Sequence, residues 1–253
     1  MGLDIYAGTL TRYYAGNWKT VAQQFAEESG LNLSIVRPNS GTPENNKLTV
    51  DEIQNDMQEW SNAIATALTP ASVCEAWEEN NDKNYYTDKP DWCAFGALLL
   101  YGACLKYDIQ LPERVKKNWD FSKDLIVGRA LNDTDFSWSL FSAAEWWLPF
   151  DDCFSFDYPT PNGHEITMGT TGALLVELQG INELSWNADE PTILEWAKNE
   201  GYPADAEMAD GAYNVIGVND EYDVQSLAKF AFSILYQAAV FSDENRVPVI
   251  MDY

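Results

Sequence analysis

Apolar residues at helical spacing recur along this chain, separated by much shorter stretches that alternate in the manner of strands. The best-defined helix begins at residues 49–52 (TVDE), a capping box in which the Thr hydroxyl and the Glu carboxylate satisfy each other's free amides. The apolar residues that follow share one helical face: Ile53, Met57, Trp60 and Ile64. This spacing predicts an amphipathic helix to about residue 68.

Six further helices and five strands are predicted from the same periodicities. The helices are residues 17–30, 90–107, 136–147, 170–181, 191–201 and 224–241. The strands are residues 3–10, 33–37, 153–158, 164–168 and 247–251. The turn sequence TPNG at 160–163 joins two of these strands in a hairpin. The acidic stretch 205–223 is expected to be a loop.

The order of these elements predicts a mostly helical α+β fold with a small mixed sheet, a β-α-β opening and one central hairpin. We expect a single globular domain over residues 1–253. The C-terminal strand, residues 247–251, is expected at the edge of the sheet or closing it, paired with the opening strand. No uninterrupted apolar run reaches the ~18 residues of a membrane helix.

The charge is strongly negative and unevenly spread. The formal net charge is −25, and from Ala130 onward 22 acidic residues face only Lys198, Lys229 and Arg246, a charge of −19. Such a field repels phosphate backbones and anionic lipid and attracts cationic surfaces. The expected partner is therefore a basic protein, with no nucleic acid and no membrane. The chain start has no basic and apolar leader pattern, so a cytoplasmic location is expected.

Motifs for the common catalytic and cofactor sites are missing from the sequence. The single histidine, His164, follows the hairpin turn and has no GxSxG partner, so a Ser or Cys triad is not expected. No glycine-rich phosphate motif is present, and no cofactor is predicted. The four cysteines have no CxxC spacing and are expected to be small buried apolar residues: Cys74, Cys93, Cys104 and Cys153.

Two acidic groups have spacings that suit a divalent cation, Asp133-x-Asp135 and Asp220-Glu221-x-Asp223. Acidic residues are also common at helix N-termini, where they stabilise the helix dipole. The interpretation of these acids as helix-terminal residues is favoured. No metal site is predicted. The bases are concentrated between Lys106 and Arg129, where they either pair with acids of the same fold or meet the acidic half of another copy. Pairing within the fold is the simpler interpretation.

The octapeptide Glu145–Asp152 (EWWLPFDD) combines aromatic and acidic residues most densely. A carboxylate among aromatic rings has its pKa raised, as a general acid requires. Glu145 as acid with Asp151 or Asp152 as base or nucleophile would be a glycoside hydrolase pair, which needs a shared cleft and a separation of ~5 to 9.5 Å. The alternative places Glu145 at a solvated helix edge and both tryptophans in the core.

The same octapeptide also suits a protein interface, because aromatic anchors ringed by acids bind and orient basic partners. The predicted binding residues are Glu145, Trp146, Trp147, Asp151 and Asp152. Compactness, acidity and the absence of catalytic motifs resemble, as a class, the immunity proteins that neutralise basic toxins. The sequence thus predicts an acidic binding protein for a basic macromolecule. A carboxylate-pair glycoside hydrolase and a structural or oligomeric module remain as alternatives, and the oligomeric state stays open.

Overall fold

Helices and short strands alternate along the chain in the computed structural model, which describes residues 2–31, 33, 48–69, 74–203, 206–209, 212–215 and 219–253. Eight α-helices lie within these residues: α1 (Leu10–Ala15), α2 (Val21–Glu28), α3 (Val50–Leu68), α4 (Asp91–Tyr107), α5 (Leu125–Leu131), α6 (Thr171–Leu184), α7 (Glu190–Asn199) and α8 (Val224–Asn245). Ten strands accompany them: β1 (Asp4–Ala7), β2 (Tyr86–Asp88), β3 (Arg114–Lys116), β4 (Trp146–Leu148), β5 (Ser155–Pro159), β6 (Glu165–Thr170), β7 (Ala206–Ala209), β8 (Ala212–Val215), β9 (Glu221–Asp223) and β10 (Val249–Asp252). The predicted α+β fold class is confirmed.

A mixed sheet of six strands organises the fold, in the order β2-β1-β10-β4-β6-β5. Only β4 and β6 run parallel to each other. The predicted pairing of the opening and C-terminal strands is confirmed, with Ile5 opposite Met251. The C-terminal strand is not at an edge, however, because β10 pairs with β1 on one side and β4 on the other. Its buried apolar residues suit this internal position.

Each face of the sheet is covered by its own buried core. One face packs against α4, α6, α7 and α8, and we call this side the helical face. The other packs against α1 and α3, and we call it the aromatic face because rings of tyrosine and tryptophan fill it. Strand side chains alternate between the two, so Ile5 belongs to the helical face and Tyr6 to the aromatic face.

Helix α8 lies at the centre of the helical face and contacts α4, α6 and α7. Of the described residues, only those of α8 form a helix long and apolar enough to cross a bilayer, with a mean hydropathy of 1.2. Polar residues interrupt the apolar stretch of α8, so this result reflects the average hydropathy of the helix and not an uninterrupted apolar run. Within the fold, 56% of that stretch is buried inside the protein, which is typical of a core helix.

The predicted helix over residues 136–147 is wrong. The chain there forms a short 3-10 turn at Ser139–Phe141 and then enters β4. Ala143 between them adopts a left-handed conformation, φ 57°, which ends any helix. Strand β4 is buried on both faces, and a short, fully apolar run suits a buried strand as well as a buried helix. Periodicity alone therefore did not separate the two.

Most other predicted elements are confirmed with shifted ends. The capping box of α3, the helices α4, α6, α7 and α8, and the β5–β6 hairpin all form. The helix expected to be capped by Asn17 begins instead at Val21, with Thr20 as its cap. The first strand ends at Ala7 because Thr9 caps α1. The strand predicted at residues 33–37 lies, apart from residue 33, outside the described residues.

The acidic stretch 205–223, predicted as a loop, contains strands. One of them, β9, lies beside bases of the segment between Lys106 and Arg129. Strand β9 pairs with β3, which places Arg114 opposite Asp223 and Lys116 opposite Glu221. Opposite charges directly across a ladder attract each other. The arrangement agrees with pairing of this basic segment with acids of the same fold.

Candidate functional site

The two tryptophans of the octapeptide point to opposite faces of the sheet and are both buried. Trp146 lies in the aromatic core and Trp147 in the helical core, where its side chain is fully inaccessible. The indole of Trp147 donates to Ser139 Oγ at 2.8 Å. Neither ring reaches the surface as the predicted interface anchor would require, because β4 is an internal strand between β10 and β6.

The three carboxylates of the octapeptide do not share a cleft. Glu145 precedes β4 and interacts with Tyr253, and burial, together with this carboxylate, raises the pKa of Tyr253 to about 12. Asp151 follows the other end of β4 and pairs with Arg246. The side chains of Asp151 and Asp152 are both exposed. Because Glu145 and the two aspartates flank opposite ends of one strand, these residues do not form the facing pair of a glycoside hydrolase.

A separate cleft opens on the aromatic face, and sequence reasoning missed it. It has a volume of about 850 Å³ and lies between α1, α3 and the turn that joins β5 to β6. Its walls include the rings of Tyr14 and Trp60 and the apolar side chains of Ile53 and Met57. Its acidic lining residues are Asp56 and Glu59, and none of the described residues that line it is a lysine or an arginine. We call it the acidic aromatic cleft.

The ring of Trp60 is held firmly in the wall of this cleft. Its Nε1 donates to the carbonyl of Pro159 at 3.0 Å. Edge-on contacts surround it, with centroid separations of 6.0 Å to Trp77, 6.1 Å to Trp146 and 6.0 Å to Tyr158. Such edge-to-face packing fixes ring orientation. The ring is therefore pre-positioned before any ligand arrives.

The opposite wall is fixed through α1. Tyr14 packs edge-on against Tyr13, with centroids 5.3 Å apart, and burial raises its pKa above the usual range. The N-terminus of α1 is held by the buried carboxylate of Glu79, which accepts bonds from the amides of Leu10 and Thr11 at 3.2 and 2.7 Å. Anions are stabilised at helix N-termini, so this contact anchors the short helix.

The acids beside the cleft follow from the register of α3. Glu52, Asp56 and Glu59 lie at i, i+4 and i+7, one exposed stripe next to the apolar stripe that packs on the sheet. Bonds from the amide and hydroxyl of Thr49 lower the pKa of Glu52. The whole helix carries four acids and no base, and no ion pair within the described residues involves Asp56 or Glu59.

The chemistry of this cleft suits a cationic side chain. An ammonium or guanidinium group is attracted to the face of an aromatic ring, and a nearby carboxylate adds a charge-assisted hydrogen bond. The acids of α3 and the neighbouring Trp60 are visible in the sequence as an acidic stripe beside an apolar one. The proximity of Tyr14, which belongs to a different helix, is decided only by the tertiary fold.

A second acid with unusual properties, Glu177 of α6, lies inside the protein. It is only 5% exposed, and burial raises its pKa to about 7. The hydrogen bonds that it accepts from Ser139 and Leu140 lower the pKa, but by less than burial raises it. These bonds come from the Ser139 amide and hydroxyl at 2.5 and 2.9 Å and from the Leu140 amide at 3.1 Å. Ser139 is buried as well, so this network lies inside the protein, where it holds the 3-10 turn in place.

The remaining candidates from the sequence occupy ordinary positions. His164 is exposed beside its turn. Asp223 caps α8, and Asp133 accepts from Tyr107 and from the amide of Asp135. Among the described ranges, no group of three or more His, Cys, Asp or Glu residues is arranged to hold a metal ion. The expectation of buried cysteines is confirmed for Cys74 and Cys104, but Cys93 is only half-buried and Cys153 is exposed beyond the end of β4.

Comparison of the chain with models of protein families, with curated proteins and with solved structures finds no match in any of the three.

Proposed function

We propose that the protein binds a basic protein partner and encloses a lysine or arginine side chain of that partner in the acidic aromatic cleft. The observation that carries this proposal is the presence in one cleft of two fixed rings, Tyr14 and Trp60, and two exposed carboxylates, Asp56 and Glu59. No base is found among the described residues that line this cleft. A cavity that combines aromatic walls with acids at its margin binds cations better than neutral or anionic groups.

The charge of the remaining surface supports the same partner. Each of the three bases after residue 130 forms an ion pair with an acid of the same chain: Lys198 with Glu195, Lys229 with Glu200 and Arg246 with Asp151. Nineteen of the 22 acids in that half therefore remain in excess of its bases. A field of this sign speeds the approach of a basic protein and keeps nucleic acid and anionic membrane away.

The finer form of the proposal is an inhibitor of the immunity type that acts in the cytoplasm. An acidic binder that covers a basic surface blocks whatever that surface binds, and a basic patch is the usual electrostatic footprint of a nucleic-acid-binding protein. The proposal places the anchor in the cleft and not in the octapeptide, because both octapeptide tryptophans are buried.

The test is a pull-down from the protein's own cell extract at low salt, repeated with charge variants. Wild type is compared with Asp56→Asn/Glu59→Gln and with a matched control, Asp243→Asn/Glu244→Gln. The control removes the same charge from an exposed part of α8, which packs on the other face of the sheet. We expect capture of a basic protein by wild type and control, reduced at least about tenfold for the cleft variant and weakened by added salt.

The proposal fails if no basic protein is captured. Equal loss of capture for both variants would assign binding to the overall field and not to the cleft. Capture that is unchanged at high salt would contradict the role of charge.

A further inference from the structure

Strand β5 forms one open edge of the sheet, next to the acidic aromatic cleft. Among the residues that the structure describes, it pairs only with β6, with Asp157 opposite Thr167 and Ser155 opposite Gly169. The carbonyl of Thr167 accepts from the Glu145 amide on the far side of β6, at 3.1 Å, so the backbones of Thr167 and Asp157 form a non-hydrogen-bonded pair of the ladder. Their side chains are joined, because the Thr167 hydroxyl donates to the Asp157 carboxylate at 2.7 Å. The backbone groups of Ser155 and Asp157 therefore point outward from the sheet.

These outward groups have the geometry of an incomplete ladder. Within the described part of the chain, no hydrogen bond outside the β5–β6 ladder uses the amide or carbonyl of Ser155 or Asp157, and the register of that ladder turns these groups away from β6. Exposed edge groups of this kind accept an additional strand from another chain. The open stretch ends at Pro159, which lacks an amide hydrogen and whose carbonyl is already bonded by Trp60.

The side chains along β5 select the chemistry of such a strand. Ser155 and Asp157 are exposed on the helical side, and Phe156 and Tyr158 are half-buried on the aromatic side. A strand laid beside β5 would place alternate residues next to the Asp157 carboxylate and next to these rings. Basic residues suit the first position, and apolar residues suit the second. A second copy of this chain is disfavoured, because two Asp157 carboxylates would then lie close together.

The edge leads directly into the cleft. Beyond Pro159 the chain turns through Pro161 and Asn162, and both of these residues line the cleft. Trp60 belongs to both features, as it bonds Pro159 at the end of the edge and forms a wall of the cavity. An extended segment that pairs with Ser155 and Asp157 is therefore aligned with the cavity entrance.

We propose that the basic partner is recognised as an extended segment that adds to the sheet along β5. Its basic and apolar residues alternate where it pairs with this edge, and a further basic residue, beyond the paired stretch that ends at Pro159, enters the cleft. This inference rests on the proposed function, because it specifies how the same partner is held. Backbone bonds to the edge supply pairing that does not depend on the partner's exact side chains, and Asp157 and the cleft supply the preference for positive charge.

A short peptide of alternating lysine and valine, blocked at both ends, is the probe. Its affinity is measured by calorimetric titration and compared with the affinities of two derivatives. One derivative is N-methylated at every odd-numbered backbone amide, and the other at every even-numbered backbone amide. Methylation removes the amide donors and leaves charge and side chains unchanged. We expect one of the two derivatives to bind wild-type protein at least about tenfold more weakly.

A protein variant tests the same edge from the other side. Ser155→Pro removes an outward amide that no bond within the fold uses, and Ser155→Ala keeps that amide as the matched control. The proline variant should weaken peptide binding by a similar factor, and the alanine variant should leave it unchanged. Thermal melting checks that both variants fold. If Ser155→Pro does not fold, the methylated peptides still test strand addition on the wild-type protein.

The outcomes separate this inference from the proposed function. If the peptide binds and Asp56→Asn/Glu59→Gln weakens it, but both methylated derivatives bind like the parent, strand addition is wrong and the cleft proposal stands. If the peptide does not bind at all, both are overturned. Loss of affinity with one methylated derivative and with Ser155→Pro supports the strand.

Discussion

The hydroxyl of Ser139 donates to the buried carboxylate of Glu177, with 2.9 Å between Oγ and Oε2. The same hydroxyl accepts from the indole of Trp147 at 2.8 Å. These bonds connect the 3-10 turn, α6 and β4 below the surface. An acid held in this way stabilises the fold only as far as its hydrogen bonds offset the cost of burying its charge.

Stability should depend on the protonation of Glu177. Burial raises its pKa from 4.5 to about 7, so the folded state binds this proton more tightly than the unfolded state does. The resulting stabilisation is fully present below about pH 4.5 and is lost as the pH rises through about 7; the difference corresponds to about 3 kcal/mol. Urea unfolding measured from about pH 5 to about pH 8 should therefore give a free energy that falls with pH.

The variant Glu177→Gln removes this titration, so its unfolding free energy should change less across the same range. Glu183→Gln, an exposed position on the same helix, is the matched control and should keep the wild-type slope. A wild-type slope that persists in Glu177→Gln would show that other groups cause it.

Removal of the Glu79 carboxylate should strongly destabilise the protein. Glu79 is 1% exposed and accepts from the amides of Leu10 and Thr11, the Thr11 hydroxyl and the Trp77 indole. Glu79→Ala leaves these buried donors without an acceptor, and we expect a loss of about 3 kcal/mol in urea unfolding. The exposed neighbour Glu78→Ala should change stability by less than about 0.5 kcal/mol. Similar values for the two variants would contradict the anchoring role assigned to Glu79.

Alanine substitution should change the stability of the protein in opposite directions at two helical glycines, Gly172 and Gly128. A Cβ on Gly172 would lie 2.0 Å from the carbonyl oxygen of Asp151, and the Gly172 amide donates to Phe150 at 3.0 Å. Gly172→Ala must push these segments apart, at a cost of about 2 kcal/mol or more. A Cβ on Gly128 in α5 meets nothing within 4 Å, so Gly128→Ala should stabilise by up to about 1 kcal/mol. Thermal melting of both variants checks the two signs.

Moderate salt should stabilise the protein at neutral pH. The chain carries −25 formal charges, and screening over ~10 Å at about 0.1 M salt reduces their mutual repulsion in the folded state. The melting temperature should therefore rise from low to moderate NaCl. Asp243→Asn/Glu244→Gln removes two of these charges and should weaken the response. A melting temperature that does not change with salt would mean that the field is too weak to steer a partner.

Local signals in the sequence were sufficient for elements that the chain builds from its near neighbours. The capping box at Thr49 and Glu52 fixes the start of α3, and the turn at residues 160–163 fixes the β5–β6 hairpin. Both depend on hydrogen bonds between residues a few positions apart. The charge imbalance is likewise a property of composition alone, and it gave the chemistry of the expected partner.

Only the tertiary structure decided where Trp146 and Trp147 lie and where the candidate site is. A buried strand and a buried helix can share the same apolar pattern, and it is the pairing of β4 with β10 and β6 that makes this segment a strand. In the same way, Tyr14 and Trp60 belong to different helices, and the packing of α1 and α3 on one face of the sheet brings them to one cleft. The sequence by itself determined the fold class and the sign of the field, because both arise from local pattern and composition; long-range packing determined the site.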